Sequence, residues 1–374
     1  MAVISRQIPA GIAARVCPGI GIREAHCLAW MRTDEIASQA LGPIGYAPSD
    51  LQSAYSLTAA SSADGGGQDI AIVDAYDDPH AEADLAVYRT AFALPACTVA
   101  NGCFQKVNES GMTSPLPGTD PTGGWEAEES LDLDMVSAIC PNCNIILVEG
   151  ATANTNDLYT AEDTAAATCG ANVISNSWST TEYSSEHLDE VHFNHPGIMI
   201  TVAAGDNGYG PLNTGYPSTS QYVTSVGGTS LHHVGAVWSE TVWSNSGSVC
   251  SAYIAQPAWQ TALGVGYTSI CAKRIDNDVA AEADPNTGVA VYDSFGGASG
   301  CPSWCQFGGT SASTPIIGAV YALAGNEGSL TYGSYPYSHT GSLTDITSGS
   351  NGACGNFLCT GGVGFDGPTG NGAF

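Results

Sequence analysis

The sequence predicts an α/β fold with a mostly parallel central sheet and helices on both faces. Three observations carry that expectation. Short apolar runs rich in β-branched residues (IAIV, NIILV, NVIS, IMITV) recur between residues 70 and 202. Helical stretches separate them, and continuous apolar strands joined through helices belong to sheets buried on both sides. The 374 residues, 43% hydrophobic and only 12% charged, also suffice for one sizeable core.

In chain order, residues 1–45 show little periodicity and read as a leader or truncated pro-segment, with the main domain over 46–374. The pattern tightens from GYAPSDLQSAYSL (Gly45–Leu57). QDIAIVDAY (Gln68–Tyr76) is a buried strand and HAEADLAVYRTAF (His80–Phe92) an amphipathic helix. GWEAEESLDLDMVSAICPNC (Gly124–Cys143) opens as an acidic helix, followed by strand NIILVEG (Asn144–Gly150) and helix NDLYTAEDTAAA (Asn156–Ala167). Strand NVISNSW (Asn172–Trp178), a helix around SSEHLDEVHF and strand GIMITVAAG (Gly197–Gly205) come next. Residues 206–300, rich in Gly, Ser, Tyr and Trp, read as loop-heavy substrate walls. STPIIGAVYALAG (Ser313–Gly325) returns to helix before a Gly-rich tail. No internal repeat is visible.

Thirty-six acidic residues face eight basic ones, for a net charge of −28. Such a surface repels nucleic acid and anionic membranes, and acid would relieve its self-repulsion. Thirteen cysteines fall largely into short-spaced couples: Cys97/Cys103, Cys140/Cys143, Cys301/Cys305, Cys354/Cys359, with Cys17/Cys27 and Cys250/Cys271 as further candidates. Disulfides and an exported life explain that number better than zinc, because no second Cys/His pair follows Cys140-Pro-Asn-Cys143 at finger or ribbon distance. Cys169 is the candidate for the thiol left over. No basic start followed by an apolar run occurs between Met1 and Ala40, and no stretch is long enough to span a bilayer.

Three stretches carry candidate chemistry. In the acidic helix five carboxylates occupy Glu126 to Asp134. At about 100° per residue, Glu128 and Asp132 fall in the apolar stripe of Leu131, Met135 and Ile139, while Glu126, Glu129 and Asp134 point elsewhere. Two acids on neighbouring turns of an inward face share a site and hold a proton between them. In FGGTSASTPIIGAVYAL, Ser311 opens a helix whose first turn Pro315 suits, near the positive end of the dipole. A capping serine is the plainer alternative. In TVAAGDNGYG, Asp206 stands just beyond the carboxyl end of a buried strand, where open α/β sheets place functional groups. An Asp-Asn-Gly turn explains the same residues.

Together, GTSASTP and AAGDNG resemble the subtilisin layout, in which a serine opens a helix and an asparagine after a buried strand helps form the oxyanion hole. This chain has Asp206 at that asparagine position. It offers Glu128-Glu129-Ser130-Leu131-Asp132 where subtilisins have their HGTHVAG helix. Those departures resemble the sedolisins, the serine-carboxyl peptidases, whose signatures are E-x-x-L-D on a helix, an oxyanion aspartate and G-T-S-A-S. The resemblance covers most of residues 45–374 and implies a subtilisin-like fold. It implies Ser311 as nucleophile, Glu128 as general base, Asp132 as its partner and Asp206, protonated, as oxyanion donor. An acid optimum follows, since an ionised Asp206 would repel the oxyanion.

The resemblance to the kumamolisin type also matches Asp74 and Trp178 to a first-strand acid and a tryptophan linked to the dyad, although glutamate is the more familiar acid. The tail LTDITSGSNG…GGVGFDGPTGNG resembles the sedolisin calcium loop. There Asp345 and Asp366 would bind one structural Ca2+ with the carbonyls of Ile346, Gly362 and Gly364. The expected protein is a secreted, monomeric endopeptidase acting on peptides or unfolded proteins, with no nucleic-acid or membrane partner. A subtilisin-type enzyme using His80 and an inactive calcium-binding protein on the same scaffold are the alternatives.

Overall fold

The computed structural model describes residues 13–17, 23–34, 42–210, 215–296, 300–301 and 303–374. The expectations for the remainder of residues 1–45 lie outside the described residues. In chain order the strands are β1 (Ala13–Arg15), β2 (His26–Cys27), β3 (Trp30–Arg32), β4 (Asp69–Ala75), β5 (Phe104–Asn108), β6 (Asn144–Gly150), β7 (Val173–Asn176) and β8 (Trp178–Ser179). They continue as β9 (Met199–Ala203), β10 (Thr224–Val234), β11 (Val237–Val242), β12 (Cys250–Ala255), β13 (Lys273–Ile275), β14 (Val279–Glu282), β15 (Val289–Tyr292) and β16 (Trp304–Gly308). The α-helices are α1 (Pro48–Ala54), α2 (Thr58–Ala63), α3 (Ala81–Ala91), α4 (Trp125–Ile139), α5 (Thr155–Ala167), α6 (Ala258–Thr261), α7 (Val265–Thr268), α8 (Thr310–Ala324) and α9 (Tyr335–Ser338).

The central eight-stranded sheet runs β11-β10-β9-β7-β4-β6-β5, with β14 also paired to β10. Every pairing in it is parallel except β10 with β11. The apolar runs explain the centre: Ile70, Ala71, Ile72 and Val73 of β4 are all fully buried, as a strand covered on both faces requires. Helices α4 and α8 lie side by side against the middle strands, and α5 covers β4 and β6 from the other side. A second sheet, β1-β3-β16-β15, is antiparallel throughout.

Six disulfides join Cys17–Cys27, Cys97–Cys103, Cys140–Cys143, Cys250–Cys271, Cys301–Cys305 and Cys354–Cys359, and Cys169 is the free thiol. Four of these are the short-spaced couples, and Cys17–Cys27 and Cys250–Cys271 are the two further candidates. No helix among the described residues is long and apolar enough to cross a membrane.

Four expectations need correction. Residues 206–300 are less loop-like than their composition suggests, since β10 to β15 lie there. Their Gly and Ser residues give weak local signals, and pairing with distant partners decides their state. The segment Glu186–His192 is a 3-10 helix. Helix α8 begins at Thr310, which puts Pro315 past its first turn. Finally, α4 is buried on every side: Glu126, Glu129 and Asp134 are as inaccessible as Glu128 and Asp132. Packing against α1, α3, α8 and β15 as well as β4 leaves α4 no solvent face.

Candidate active site

Helix α4 is launched by Asp120. Its Oδ2 accepts the Gly124 N–H at 2.9 Å, and Glu126 Oε1 accepts the Asp120 N–H at 2.8 Å. A carboxylate at that end offsets the unpaired amides of the first turn. Beyond Ile139, Pro141 and the Cys140–Cys143 disulfide stop the helix. Glu128 and Asp132 are thereby fixed one turn apart, both fully buried.

Helix α8 brings Ser311 to the same place. Gly309 precedes it with φ +96°, a conformation other residues rarely adopt, and a Cβ there would stand 1.9 Å from the Leu28 carbonyl oxygen. The Ser311 hydroxyl donates to the Ser177 carbonyl at 3.2 Å. It also lies beside the Glu128 carboxyl, restraining its pKa, although neither Glu128 oxygen meets a donor at full hydrogen-bond geometry among the described residues. The two groups are therefore in near approach rather than bonded, an arrangement common before substrate chemistry draws such pairs together. Pro315 has no N–H to offer the Ser311 carbonyl one turn back. The Ser177 hydroxyl stands 3.4 Å from that carbonyl and donates to Asp132 Oδ1 at 2.9 Å.

Electrostatics set the proton count. Burial pushes Glu128 well above the ordinary carboxylate range, and the charge of Asp74 adds to it. Burial likewise raises Asp132, with Asp74 and then Glu128 contributing. Asp74, on β4, is raised to about 8 by burial, and neither of its oxygens has a partner among the described residues. Three carboxyls sharing one dry site cannot all ionise, so protons are retained among them well above the ordinary carboxyl range.

Asp206 follows β9 and is buried. Its Oδ1 accepts the Thr310 N–H at 2.8 Å and the Thr310 hydroxyl at 2.7 Å, while Oδ2 has no partner among the described residues. That asymmetry assigns any proton to Oδ2, the oxygen 2.9 Å from the Cβ position at Gly309. Burial raises its pKa to about 6, against the opposing pull of Arg15 and the Thr310 donors. The Trp30 indole N–H approaches the same carboxyl without reaching full hydrogen-bond geometry.

The remaining candidates divide. The Trp178 indole donates to the Val73 carbonyl at 3.0 Å, so its N–H is directed at β4 backbone rather than at the dyad. His80 is exposed and its Nδ1 lies 2.9 Å from Ser294 Oγ, outside the Ser311 cluster. In the tail, Asp366 Oδ2 accepts the Gly362 N–H at 3.0 Å and Asp345 Oδ2 accepts the Gly364 N–H at 2.9 Å. Ile346 is buried beside Asp345 in sequence. Burial raises Asp366 to about 7, and the charge of Asp345 adds to it. No group of three or more His, Cys, Asp or Glu side chains suited to a metal occurs among the described residues.

Sequence reasoning missed Ser177 and Thr310, which organise the site. Thr310 stood in the quoted GTSAS motif and carried a signal. Ser177, which lies between β7 and β8, carried none.

A profile of the subtilase family matches residues 117–331, which include Glu128, Asp132, Trp178, Asp206 and Ser311. Sedolisin from Pseudomonas sp. (strain 101) is 31% identical over 207 residues, 47% of this chain and 33% of that protein. Tripeptidyl-peptidase 1 of Canis lupus familiaris is 30% identical over 178 residues, 42% of this chain and 31% of that protein. The chain thus aligns with about a third of the length of these curated relatives. The crystal structure of Pseudomonas sedolisin, a serine-carboxyl proteinase complexed with pseudo-iodotyrostatin, superposes with a TM-score of 0.74 at 23% identity. That match covers 89% of this chain and 96% of the other. Sphericase superposes with a TM-score of 0.52 at 16% identity over 83% of this chain and 91% of the other. With the fold, the family profile and the sedolisin relatives in agreement, the chain belongs to the subtilase family, in its sedolisin branch.

Proposed function

We propose that this chain is a secreted serine-carboxyl endopeptidase that cleaves peptides or unfolded proteins in acid. One observation carries the reading. A helix-opening serine, a buried carboxyl dyad and a buried aspartate with one bare oxygen converge on a single point. In this reading Ser311 Oγ attacks the peptide carbonyl and Glu128 takes its proton, then returns it to the departing amine. Asp132 and Asp74 share the proton load that keeps Glu128 able to act at low pH. Asp206 Oδ2–H and the Ser311 backbone N–H hold the oxyanion. Water then releases the acyl group from Ser311.

The acid optimum follows from Asp206. Only its protonated form donates, so activity falls as pH rises through about 6, the value burial sets. The six disulfides and the acidic surface suit export, and the sedolisin relatives support peptides as substrates. The net negative charge disfavours nucleic acid and anionic membranes as partners, and we take the protein to act as a monomer.

The tail suits one structural Ca2+. Two carboxylates, Asp345 and Asp366, face one loop and repel each other, and hard oxygen donors of flexible geometry fit that ion. Asp345, Asp366 and the carbonyls of Ile346, Gly362 and Gly364 would hold it. Bound there, it would neutralise both acids and tie the tail to the domain.

The test is Ser311→Ala. The parent should hydrolyse casein at about pH 4, in the carboxyl titration range, and the variant should not, with unchanged melting. Equal activity in the two would refute the reading.

A further inference from the structure

A carboxyl that the mechanism does not use lies on the opposite side of the central sheet from Ser311. Glu162 projects from α5 and is fully buried. Its carboxyl lies against the amide of Asn176, which restrains its pKa. Asn176 is the last residue of β7 and is equally buried. None of the four polar atoms in these two side chains meets a partner at full hydrogen-bond geometry among the described residues.

The pleat of β7 links this pair to the catalytic side. Successive strand residues point to opposite faces. A Cβ at Gly318 of α8 would stand 3.4 Å from Val173 Cγ1 and 3.9 Å from Ser175 Cβ, so Val173 and Ser175 face α8. Asn176 therefore faces α5, where Glu162 meets it. The alternation carries on past the strand end. Ser177 turns to the catalytic side, where its hydroxyl donates to Asp132 Oδ1 at 2.9 Å and its carbonyl accepts the Ser311 hydroxyl at 3.2 Å. Trp178 turns back to α5, with its ring centroid 6.3 Å from that of Tyr159. Tyr159 and Glu162 are three residues apart and share one face of α5. Ser177 is thus flanked by two side chains held from behind, Trp178 by packing and Asn176 by a polar neighbour.

The chemistry of that neighbour suits the task. Burial raises Glu162 to about 8 against the pull of the Asn176 amide, and the charge of Asp163 adds to the rise. In acid Glu162 is therefore a neutral carboxylic acid, with one O–H to donate and one carbonyl to accept. The Asn176 amide offers the matching N–H and C=O. Two aliphatic side chains would fill the same space without a polar atom to satisfy, but they would not fix one arrangement of the strand end.

We propose that Glu162 is a positioning residue for the peptidase reaction: through Asn176 it holds the end of β7 so that Ser177 aligns both the Ser311 hydroxyl and Asp132. The proposal rests on the peptidase reading above and extends it to a residue that touches neither the substrate nor the reacting atoms. The alignment is needed when the Ser311 proton moves to Glu128, so the pair acts on turnover. Binding of the substrate before that step does not depend on it.

The test compares the full chain with Glu162→Leu, Asn176→Leu, the double variant and Glu162→Gln. Initial rates are measured over a range of casein concentrations at about pH 4. Thermal melting at the same pH gives the folded fraction of each protein, and rates are taken per folded molecule. Glu162→Leu should lower kcat about tenfold or more, with KM within about twofold of the parent's. Asn176→Leu should do the same, and the double variant should be no slower than the slower single one, because the two residues act as a unit. Glu162→Gln keeps a donor and an acceptor and should restore kcat to within about threefold of the parent. Where one leucine variant does not fold, the other carries the comparison alone.

Parent-like kcat in a folded leucine variant, a loss in Glu162→Gln equal to that in Glu162→Leu, or losses that multiply in the double variant would each overturn the proposal and leave the peptidase reading standing. A folded parent that does not hydrolyse casein in acid would overturn the two together.

Discussion

Helix α4 carries two sets of buried carboxylates that solve one problem in different ways. On one face Glu128 and Asp132 meet Asp74, and a proton is the means at hand for relieving their repulsion. On the other, Glu129 meets Glu149 and Asp78, and a cation reaches in. Lys106 Nζ lies 3.3 Å from Glu149 Oε1, pairs with Asp77 and donates to the Asp78 carbonyl at 2.6 Å. Both faces are equally dry. The difference teaches that burial alone does not make an acid catalytic. Burial still raises Glu149 to about 9 and Glu129 well above the ordinary carboxyl range, so protons share the load on that face too. The Glu128 face differs in bordering Ser311, whereas the ammonium on the other face ties a strut. In the proposed calcium loop a metal would play the balancing part for Asp345 and Asp366.

The sharpest break exchanges the two faces. Glu128→Gln should lower kcat about a thousandfold, since it removes the proposed general base. Glu129→Gln should leave kcat within a few-fold while altering melting. Steady-state rates at acid pH compare them, and equal losses would erase the distinction. Next comes the strut itself. Lys106→Met leaves Glu149 and Asp77 without their cation and should cost about 3 kcal/mol of stability, read by urea unfolding, with kcat of the folded protein close to the parent's.

Chelation extends the comparison to the tail. If calcium balances Asp345 and Asp366, adding a chelator should remove about 3 kcal/mol for an ion present at roughly a hundred times its Kd. An Asp345→Asn variant should respond less, and an unchanged Tm in the parent would dismiss the ion.

The smallest effect concerns Asp74. Its folded pKa, about 8, stands above the ordinary aspartate value, so the folded state binds the extra proton. Stability from this group is therefore complete in acid and declines as pH rises from the ordinary aspartate range towards about 8. Asp74→Asn copies the protonated form without titrating. It should flatten that decline in Tm against pH, and an unaltered slope would mean Asp74 is ionised in the fold.

What the sequence disclosed follows a physical rule. The inward placement of Glu128 and Asp132, the strand before Asp206, the helix opened by Ser311 and the four close cysteine couples all depend on neighbours within a few residues. Periodicity and spacing expose such features. Ser177, Lys106 and the strands between residues 206 and 300 owe their roles to partners far along the chain. Lys106 in FQKVN looks like a solvated strand residue until Asp77 and Glu149 are placed beside it. The segment that carries β2 and β3 is the extreme case. Residues 13–17 and 23–34 lack periodicity: the short strands β1 to β3 occur there, and no helix or amphipathic strand among the described residues organises them. They are extended where β8 and β16 supply hydrogen bonds, and that pairing has no local signature.

In the proposed mechanism Asp206 must stay protonated to hold the oxyanion, and one comparison reaches it directly. The pH dependence of kcat/KM should be measured for the parent and for Asp206→Asn. The parent should lose activity as pH rises through about 6, where Asp206 releases its proton. In the variant an amide can supply the hydrogen bond without ionising, so that alkaline limb should move upward or vanish, whatever the absolute rate. An alkaline limb at the same pH in both proteins would show that Asp206 does not set it, and would contradict the account.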